Sequence, residues 1–232
     1  MVNSSKIPKS IVEEFIKVAL AAKPLIPTFI DGKNAITEMK DGGSRNWRQM
    51  EWVGWWFEYF IEEKVKLRLG ITVGPRYGNT TFDLKLNYVW DLKAHPINKD
   101  QLLLNDQEAI RDCIVENGGV GFIIVEGEVE YDDENETFKN WHDNLKGKQS
   151  NYVAARIARN APSRRRKISF TPKTITGIWI DSVETLIQGQ SQGWISGFQE
   201  NMRNSDGNPR RAKFKFTTSK IPENCIVGTI EI

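Results

Sequence analysis

Residues 82–95, FDLKLNYVWDLKAH, contain the tripeptide Asp-Leu-Lys twice, at 83–85 and at 91–93. The stretch predicts two β-strands joined by a tight connection near Leu86 to Tyr88. Because residues i and i+2 of a strand share a face, each repeat sets a carboxylate beside an ammonium group. Such a pair is either a structural ion pair or part of a catalytic site.

The composition limits the class of protein. The chain has 232 residues, of which 39% are hydrophobic and 27% are charged. It has no apolar run approaching about 18 residues, which excludes a membrane span and, with the composition, argues against disorder. Residues 11–22 carry two glutamates and a lysine in an apolar pattern, which favours an amphipathic helix over a signal-peptide core. We therefore expect a cytoplasmic protein with no membrane partner, folded as a single domain over residues 1–232.

Segments on both sides of the hairpin supply further predicted elements. Asn46 with Gln49, and Asn105 with Glu108, have the spacing of capping boxes at helix starts, and Gly118-Gly119 is typical of a helix end. The predicted elements are a largely buried helix at 46–66, a strand at 66–74, the hairpin, a helix at 105–119 and a central strand at 120–131. This order predicts the α/β class, with a mixed β-sheet flanked by helices.

The two aspartates of the hairpin are expected to lie close together. With either two-residue turn that the connection allows, Asp83 lies beside Trp90 or Leu92. Asp83 is then diagonal to Asp91, and like charges this close raise each other's pKa unless a cation compensates them. Mg²⁺ prefers oxygen ligands and is commonly held by one or two carboxylates plus substrate phosphate, so the pair points to phosphate chemistry. The alternative is a surface hairpin whose Asp and Lys side chains pair across the strands.

The helix before the hairpin adds acidic side chains. Glu51 and Glu58 are seven residues apart, which is two helical turns and places them on one face. Charged side chains are rarely buried unless they are paired or bind a metal ion. On an otherwise aromatic, buried helix, at least one of these glutamates is expected to have a partner inside the protein.

These features together resemble the PD-(D/E)xK nuclease superfamily and, within it, the type II restriction endonucleases. The match comprises a helix bearing Glu58, then Asp83 at the start of one strand, then Asp91-Leu92-Lys93 on the next, then the helix from Asn105 and the strand from Val120. Phe82 stands where the family has a proline. The resemblance implies a restriction-endonuclease-like catalytic core at about 46–127, with insertions, and basic DNA-binding elements at about 138–220.

The resemblance also implies which residues bind metal. The family places a lone acid before the Asp-x-Lys tripeptide, so Asp83 would be the lone acid and Lys85 would be incidental. Asp83 and Asp91 would bind Mg²⁺, with the Leu92 carbonyl as a further ligand. Metal-assisted displacement at phosphorus uses such a site to stabilise charge on the phosphoryl oxygens.

Two further roles follow from the same resemblance. Glu58 would bind a second metal ion or a metal-bound water, with Glu51 as its substitute. Lys93 would orient the attacking water and help to deprotonate it. Desolvation next to the metal ion would keep Lys93 less basic than a lysine in water.

The charge distribution is uneven. Residues 1–136 contain 16 Lys and Arg against 23 Asp and Glu, whereas residues 137–232 contain 16 against 7. A basic half suggests a polyanion such as DNA, although a solvated surface would look the same. The glutamines at 188–192 could read adenine edges from a flexible connection, or simply form a polar loop. The candidate DNA-binding residues are Arg164, Arg165, Arg166, Lys167, Gln188, Gln190, Gln192, Arg210 and Arg211.

Three functions fit the sequence. The first is a Mg²⁺-dependent type II restriction endonuclease acting on double-stranded DNA, as a homodimer because a palindromic site matches two-fold symmetry. The second is a repair or recombination nuclease of the same fold that reads DNA structure. The third is a non-catalytic DNA-binding protein in which the acids pair with lysines.

Overall fold

The computed structural model describes residues 7–147, 151–161, 164–203 and 207–232, without the side chains of residues 151, 152 and 155. The helices are α1 (Lys9–Ala22), α2 (Gly32–Asp41), α3 (Trp52–Ile61), α4 (Leu67–Leu69), α5 (Gln107–Asn117), α6 (Thr137–Lys146), α7 (Asn151–Ala158) and α8 (Val183–Gln192). The strands are β1 (Ile30–Asp31), β2 (Arg76–Tyr77), β3 (Thr80–Thr81), β4 (Leu84–Lys85), β5 (Val89–Pro96), β6 (Gln101–Asp106), β7 (Val120–Tyr131), β8 (Lys167–Ile180), β9 (Ile195–Phe198), β10 (Lys213–Thr217) and β11 (Ile226–Glu231).

A mixed sheet forms the centre of the fold. Its strand order is β1-β8-β7-β5-β4, and β11 also pairs with β8. Strands β5 and β7 are parallel and are connected through β6 and α5, whereas the other pairs are antiparallel. A smaller sheet has the order β6-β10-β9, and β2 and β3 form a hairpin. The predicted α/β class, with a mixed sheet flanked by helices, is confirmed.

Each face of the main sheet is covered by a separate hydrophobic cluster. Alternation along β5 sends Trp90 and Leu92 to the face covered by α1, α2 and α3. Val89 and the neighbouring Phe122 of β7 point to the other face, which α5, α8 and the small sheet cover. Asp91 lies between Trp90 and Leu92 and therefore belongs to this second face.

The region around the predicted helix 46–66 is divided into several pieces. Residues Arg45–Arg48 form a 3₁₀ turn in which the Ser44 hydroxyl accepts the Asn46 N–H, and Gln49 is extended, so the predicted capping box at Asn46 is wrong. The α-helix begins at Trp52 and continues after Ile61 as a π-helical turn and then α4. The predicted strand at 66–74 is also wrong, because the helix continues to Leu69 and only Thr72 makes a β-bridge, to Lys85.

The predicted helix start at Asn105 is wrong by two residues. Asn105 lies in β6, which pairs with β10 through Asp106 and Lys213. The N–H of Gln107 donates to the Ala212 carbonyl, so a strand more than 100 residues away fixes where α5 begins. The predicted helix end is confirmed, since Gly118 has the left-handed conformation that glycine adopts readily.

None of the helices in the described ranges is long and apolar enough to cross a membrane.

Candidate active site at the fork between β4 and β5

Strands β4 and β5 separate at Asp83. Leu84 pairs with Trp90 as the last pair of the ladder, and Asp83, the residue before Leu84, lies near enough to Asp91 for their charges to interact. The ladder stops there because the Phe82 N–H turns away to the Pro75 carbonyl. The Leu92 N–H donates instead to the Asp83 carboxylate, at 2.7 Å. We call this opening, formed by residues 82–84 and 90–93, the fork.

The predicted register of the hairpin was therefore wrong in one respect. The connection has three residues, Leu86 to Tyr88, instead of two, and its ends are joined by a hydrogen bond from the Leu86 N–H to the Tyr88 carbonyl. A shift of one residue in an antiparallel pair changes the face of every side chain, so a two-residue connection would have sent Asp83 and Asp91 to opposite faces of the sheet. With three residues in the connection, Asp83 lies near enough to Asp91 for the Asp91 charge to raise the pKa of Asp83.

Asp91 and Lys93 form a buried network with Asn105. Asp91 is 2% exposed. The Lys93 ammonium forms an ion pair with Asp91 and also donates to the Leu92 carbonyl at 3.2 Å and to the Asn105 Oδ1 at 3.3 Å. The Asn105 Nδ2 donates to the other Asp91 oxygen at 2.6 Å. Asn105 thus holds both partners of the ion pair in place from β6.

Glu58 enters the fork from α3. A cavity of about 140 Å³ is lined by Glu58 together with Asp83 and Leu92. Burial raises the pKa of Glu58 to about 7 from 4.5, and the negative charges of Asp91 and Glu62 add to this effect against the opposing Lys93 ammonium. A carboxyl group with such a pKa is partly protonated near neutral pH.

Asp83 experiences the same excess of negative charge. Burial raises its pKa well above 3.8, as do the charges of Asp91 and then Glu58, while Lys93 and the Leu92 N–H lower it. The fork thus gathers three carboxyl groups around one ammonium group. Folding such a site requires a proton or a further cation, because like charges at close range cannot all remain ionised without compensation.

Lys93 is more basic than a lysine in water. Burial lowers its pKa, but the charge of Asp91 and then that of Asp83 outweigh burial, so the Lys93 pKa is raised above 10.5. The expectation of a less basic Lys93 applies to a lysine beside a bound metal ion and stays a prediction. Lys93 is therefore an ammonium donor in this arrangement.

The donors at the fork suit Mg²⁺ by their chemistry. The carboxylates of Asp83 and Asp91 and the carbonyl of Leu92 are oxygen donors, which this ion prefers. Within the described ranges, no group of three or more His, Cys, Asp or Glu side chains is arranged to hold a metal ion. Mg²⁺ commonly needs only one or two carboxylates, with waters and substrate phosphate completing its shell. The Lys93 ammonium now contacts Asp91 and Leu92, so a cation bound to those oxygens would displace it.

We predict that the metal-free protein loses stability as the pH rises from 5.5 to 8. The folded-state pKa of Glu58 is above its ordinary value, so its contribution is complete below 4.5 and is lost as the pH passes about 7. The shift corresponds to roughly 3 kcal/mol at most. Urea denaturation in the presence of a chelator should show a smaller pH dependence for Glu58→Gln than for the wild type. Glu63→Gln, at an exposed neighbouring position, is the control, and equal pH dependence in wild type and Glu58→Gln would contradict the prediction.

Glu51 and Lys85, the remaining candidate acid and base, lie outside the fork. Glu51 immediately precedes α3 and forms an ion pair with Lys167, so it does not substitute for Glu58. Lys85 donates to the Asn117 side chain at the end of α5 at 3.0 Å. The second Asp-Leu-Lys tripeptide, not the first, therefore supplies the lysine at the fork.

The first basic cluster is largely engaged within the protein. Arg166 is only 4% exposed, and its Nη2 lies 3.8 Å from the Asp143 carboxylate, which removes it from any surface that a duplex could reach. Arg165 is exposed and donates to the Asp132 carbonyl at 2.6 Å. Arg164 is exposed, and Lys167 is paired with Glu51. Residues 148–150, 162–163 and 204–206 of the predicted basic region lie outside the described residues.

The second basic cluster lies at the end of β6, the strand that also carries Asn105. Arg211 donates to the Asp106 carboxylate at 3.2 Å, and Asp106 directly follows Asn105. An open groove of about 440 Å³ runs past Arg210, Arg211 and Lys213. Arg211 is half exposed in its side chain, so it is accessible to a polyanion.

The three glutamines occupy a helix, not a flexible connection. Gln188, Gln190 and Gln192 lie in the second half of α8 and are exposed. Ser182 caps the start of this helix, and Gly193 ends it in the left-handed conformation. Gln188 and Gln192 line a cavity of about 560 Å³ that also contains Trp194.

Asn105 is the site residue that the sequence prediction missed. Its position before Asp106 and Glu108 resembled a helix cap, which concealed its place in β6. Exposed and buried residues alternate along Gln101–Asp106 in the structure, but the sequence QLLLND has three consecutive leucines and gives no alternating signal for a strand.

Comparisons of the chain with protein-family models, with curated protein sequences and with solved structures found no match.

Proposed function

We propose that the protein is a Mg²⁺-dependent endonuclease of double-stranded DNA, related in its core to the PD-(D/E)xK superfamily and acting as a type II restriction enzyme. The observation that carries the proposal is the grouping of three carboxyl groups, those of Asp83, Asp91 and Glu58, within electrostatic range of one another and of the Lys93 ammonium that pairs with Asp91. Order along the chain also agrees: a helix with Glu58 precedes β4 and β5, and α5 and β7 follow.

The chain's residues have separate tasks in this proposal. Asp83, Asp91 and the Leu92 carbonyl would hold Mg²⁺, and Glu58 would bind beside them. The ion would stabilise negative charge on the phosphoryl oxygens and lower the pKa of water. The Lys93 ammonium would orient the attacking water or the scissile phosphate by hydrogen bonding.

The duplex would lie along the groove that Arg210, Arg211 and Lys213 line. There these residues would neutralise phosphates, which fixes the register of the DNA without reading its sequence. Recognition of a palindromic site is matched by a homodimer with two-fold symmetry.

Removing two groove cations should weaken DNA binding and its salt dependence. For the double variant Arg210→Ala/Arg211→Ala, we expect the slope of log Kd against log salt concentration to fall by about 2, because each phosphate contact contributes about 0.9. Fluorescence anisotropy with a labelled duplex, without Mg²⁺, measures this slope. Lys17→Ala/Lys23→Ala removes two exposed cations from the region of α1 and should leave the slope unchanged. An unchanged slope in the arginine variant would mean that DNA does not use this groove.

A non-catalytic DNA-binding protein is the second candidate. It is favoured by the network of Asp91, Lys93 and Asn105, which satisfies these side chains without a metal ion. The excess of carboxyl groups over ammonium groups at the fork favours the nuclease instead, because a purely structural pair needs neither Asp83 nor Glu58.

Incubation of the protein with long DNA at several Mg²⁺ concentrations distinguishes the candidates. Discrete fragments that require Mg²⁺ are the expected result for a restriction enzyme. Progressive degradation, or cleavage only at junctions, would replace this function by a repair or recombination nuclease. DNA binding without cleavage at any Mg²⁺ concentration would leave the non-catalytic protein.

A further inference from the structure

The helix α1 contacts the hairpin of the fork through one buried acid. Glu14 is 4% exposed and accepts four hydrogen bonds from the hairpin. One carboxylate oxygen accepts the backbone N–H of Asn87 at 3.0 Å and its side-chain amide at 2.9 Å. The other accepts the Tyr88 N–H at 3.1 Å and the indole N–H of Trp90 at 2.9 Å. Glu14 thus binds both the connection and the beginning of β5.

These contacts act on the part of the hairpin that sets the site. The connection determines that Leu84 faces Trp90, and this register in turn brings the preceding residue, Asp83, beside Asp91 and Leu92 of β5. A shift of one residue in an antiparallel pair sends every side chain of the strand to the other face. Holding the connection in its three-residue form therefore holds the two carboxylates together.

Only a carboxylate can satisfy all four donors. It has two oxygens that only accept, whereas a glutamine side chain has one accepting oxygen and an amide that donates. In Glu14→Gln, the amide group would face two N–H donors of the hairpin. A buried donor without an acceptor is costly, so the hairpin would move away from its native conformation.

We propose that Glu14 is a positioning residue of the candidate active site, acting through the hairpin and not by contact with DNA or metal. The proposal rests on the proposed nuclease function for its kinetic test, but not for its structural test. It also extends the site to α1, which precedes the predicted catalytic core at 46–127.

The structural test is amide hydrogen exchange at Leu92, whose N–H donates to Asp83 across the fork. In Glu14→Gln we expect exchange at Leu92 to be at least about tenfold faster, because the fork opens locally. The amide of Val125 in β7 should be unchanged. Glu13→Gln is the matched control, since Glu13 is the adjacent glutamate, is 63% exposed and pairs only on the surface with Lys9 at 3.3 Å.

The kinetic test measures kcat and KM separately, at a temperature where Glu14→Gln and its control Glu13→Gln are both fully folded. We expect Glu14→Gln to lower kcat by about 10- to 100-fold, as small displacements of reacting groups do, with KM for DNA within about twofold. A purely stabilising role would lower the melting temperature and leave kcat unchanged. Folded Glu14→Gln with wild-type exchange at Leu92 would overturn the proposal, as would wild-type kcat in a protein that cleaves DNA. If the wild type cleaves no DNA, the nuclease function fails, and exchange at Leu92 alone decides whether Glu14 positions the fork.

Discussion

Asp91→Asn is expected to lower the rate of DNA cleavage by at least about 10³-fold while DNA affinity stays within about twofold. Asp91 is the most deeply engaged acid at the fork, in contact with both Lys93 and Asn105. Asparagine keeps the shape but loses the charge that would hold a cation, and a bound cation supplies several kcal/mol of charge stabilisation. In the proposed complex, affinity would persist because the phosphates would be contacted mainly by the basic groove.

Gel-based cleavage and anisotropy measure the two quantities separately. Asp41→Asn, at the exposed end of α2, controls for the loss of one negative charge and should retain full activity. Full activity in Asp91→Asn would end the catalytic assignment of the fork. If Asp91→Asn loses DNA affinity to the same extent as cleavage activity, Asp91 supports the fold instead of the reaction.

Lys93→Met is expected to lower both the cleavage rate and the stability. Loss of a positioned proton donor or acceptor costs about 10² to 10⁴ in rate. In the metal-free protein the variant also leaves Asp91 buried without its cation, which costs roughly 3–5 kcal/mol. Because protonation of the carboxyl groups removes the repulsion, the loss of stability should be smaller at pH 5.5 than at pH 8.

The chain provides a matched control in its other Asp-Leu-Lys tripeptide. Lys85→Met removes a lysine from the same tripeptide context. Lys85 donates to the Asn117 side chain and not to the carboxyl groups of the fork. We expect it to retain cleavage and to show no added pH dependence of stability. Denaturation at the two pH values and cleavage assays measure both effects. Equal losses in the two variants would show that the fork does not depend on Lys93 specifically.

The local patterns of the sequence predicted the parts of the fold that local physics determines. The hairpin at 82–95 and the central strand β7 follow from alternation and apolar runs, and the end of α5 follows from Gly118. The choice of the second tripeptide came from the family resemblance, and the contacts of Lys93 and Lys85 agree with that choice.

The errors arise where distant segments decide the structure. Pairing of β6 with β10 overrode the capping pattern at Asn105. Burial of Arg166 depends on its packing near Asp143 of α6, which no pattern of basic residues reveals. The contact of Glu14 with Asn87 spans 73 residues, so nothing local to either residue indicates it. The hairpin connection has one residue more than predicted, and this changes which residues face each other. Because side chains alternate between the two faces of a strand, a register shift of one residue also changes the face to which each side chain points.

The central claim is that the acids at the fork hold a divalent cation for cleavage of DNA. Calorimetric titration of Mg²⁺ into the metal-free protein at pH 8, where Glu58 is mostly ionised, tests it most directly. If the fork binds Mg²⁺, we expect saturable binding to the wild type and to Asp41→Asn, and at least about tenfold weaker binding to Asp91→Asn. No saturable binding to the wild type, or equal affinity in Asp91→Asn, would contradict it.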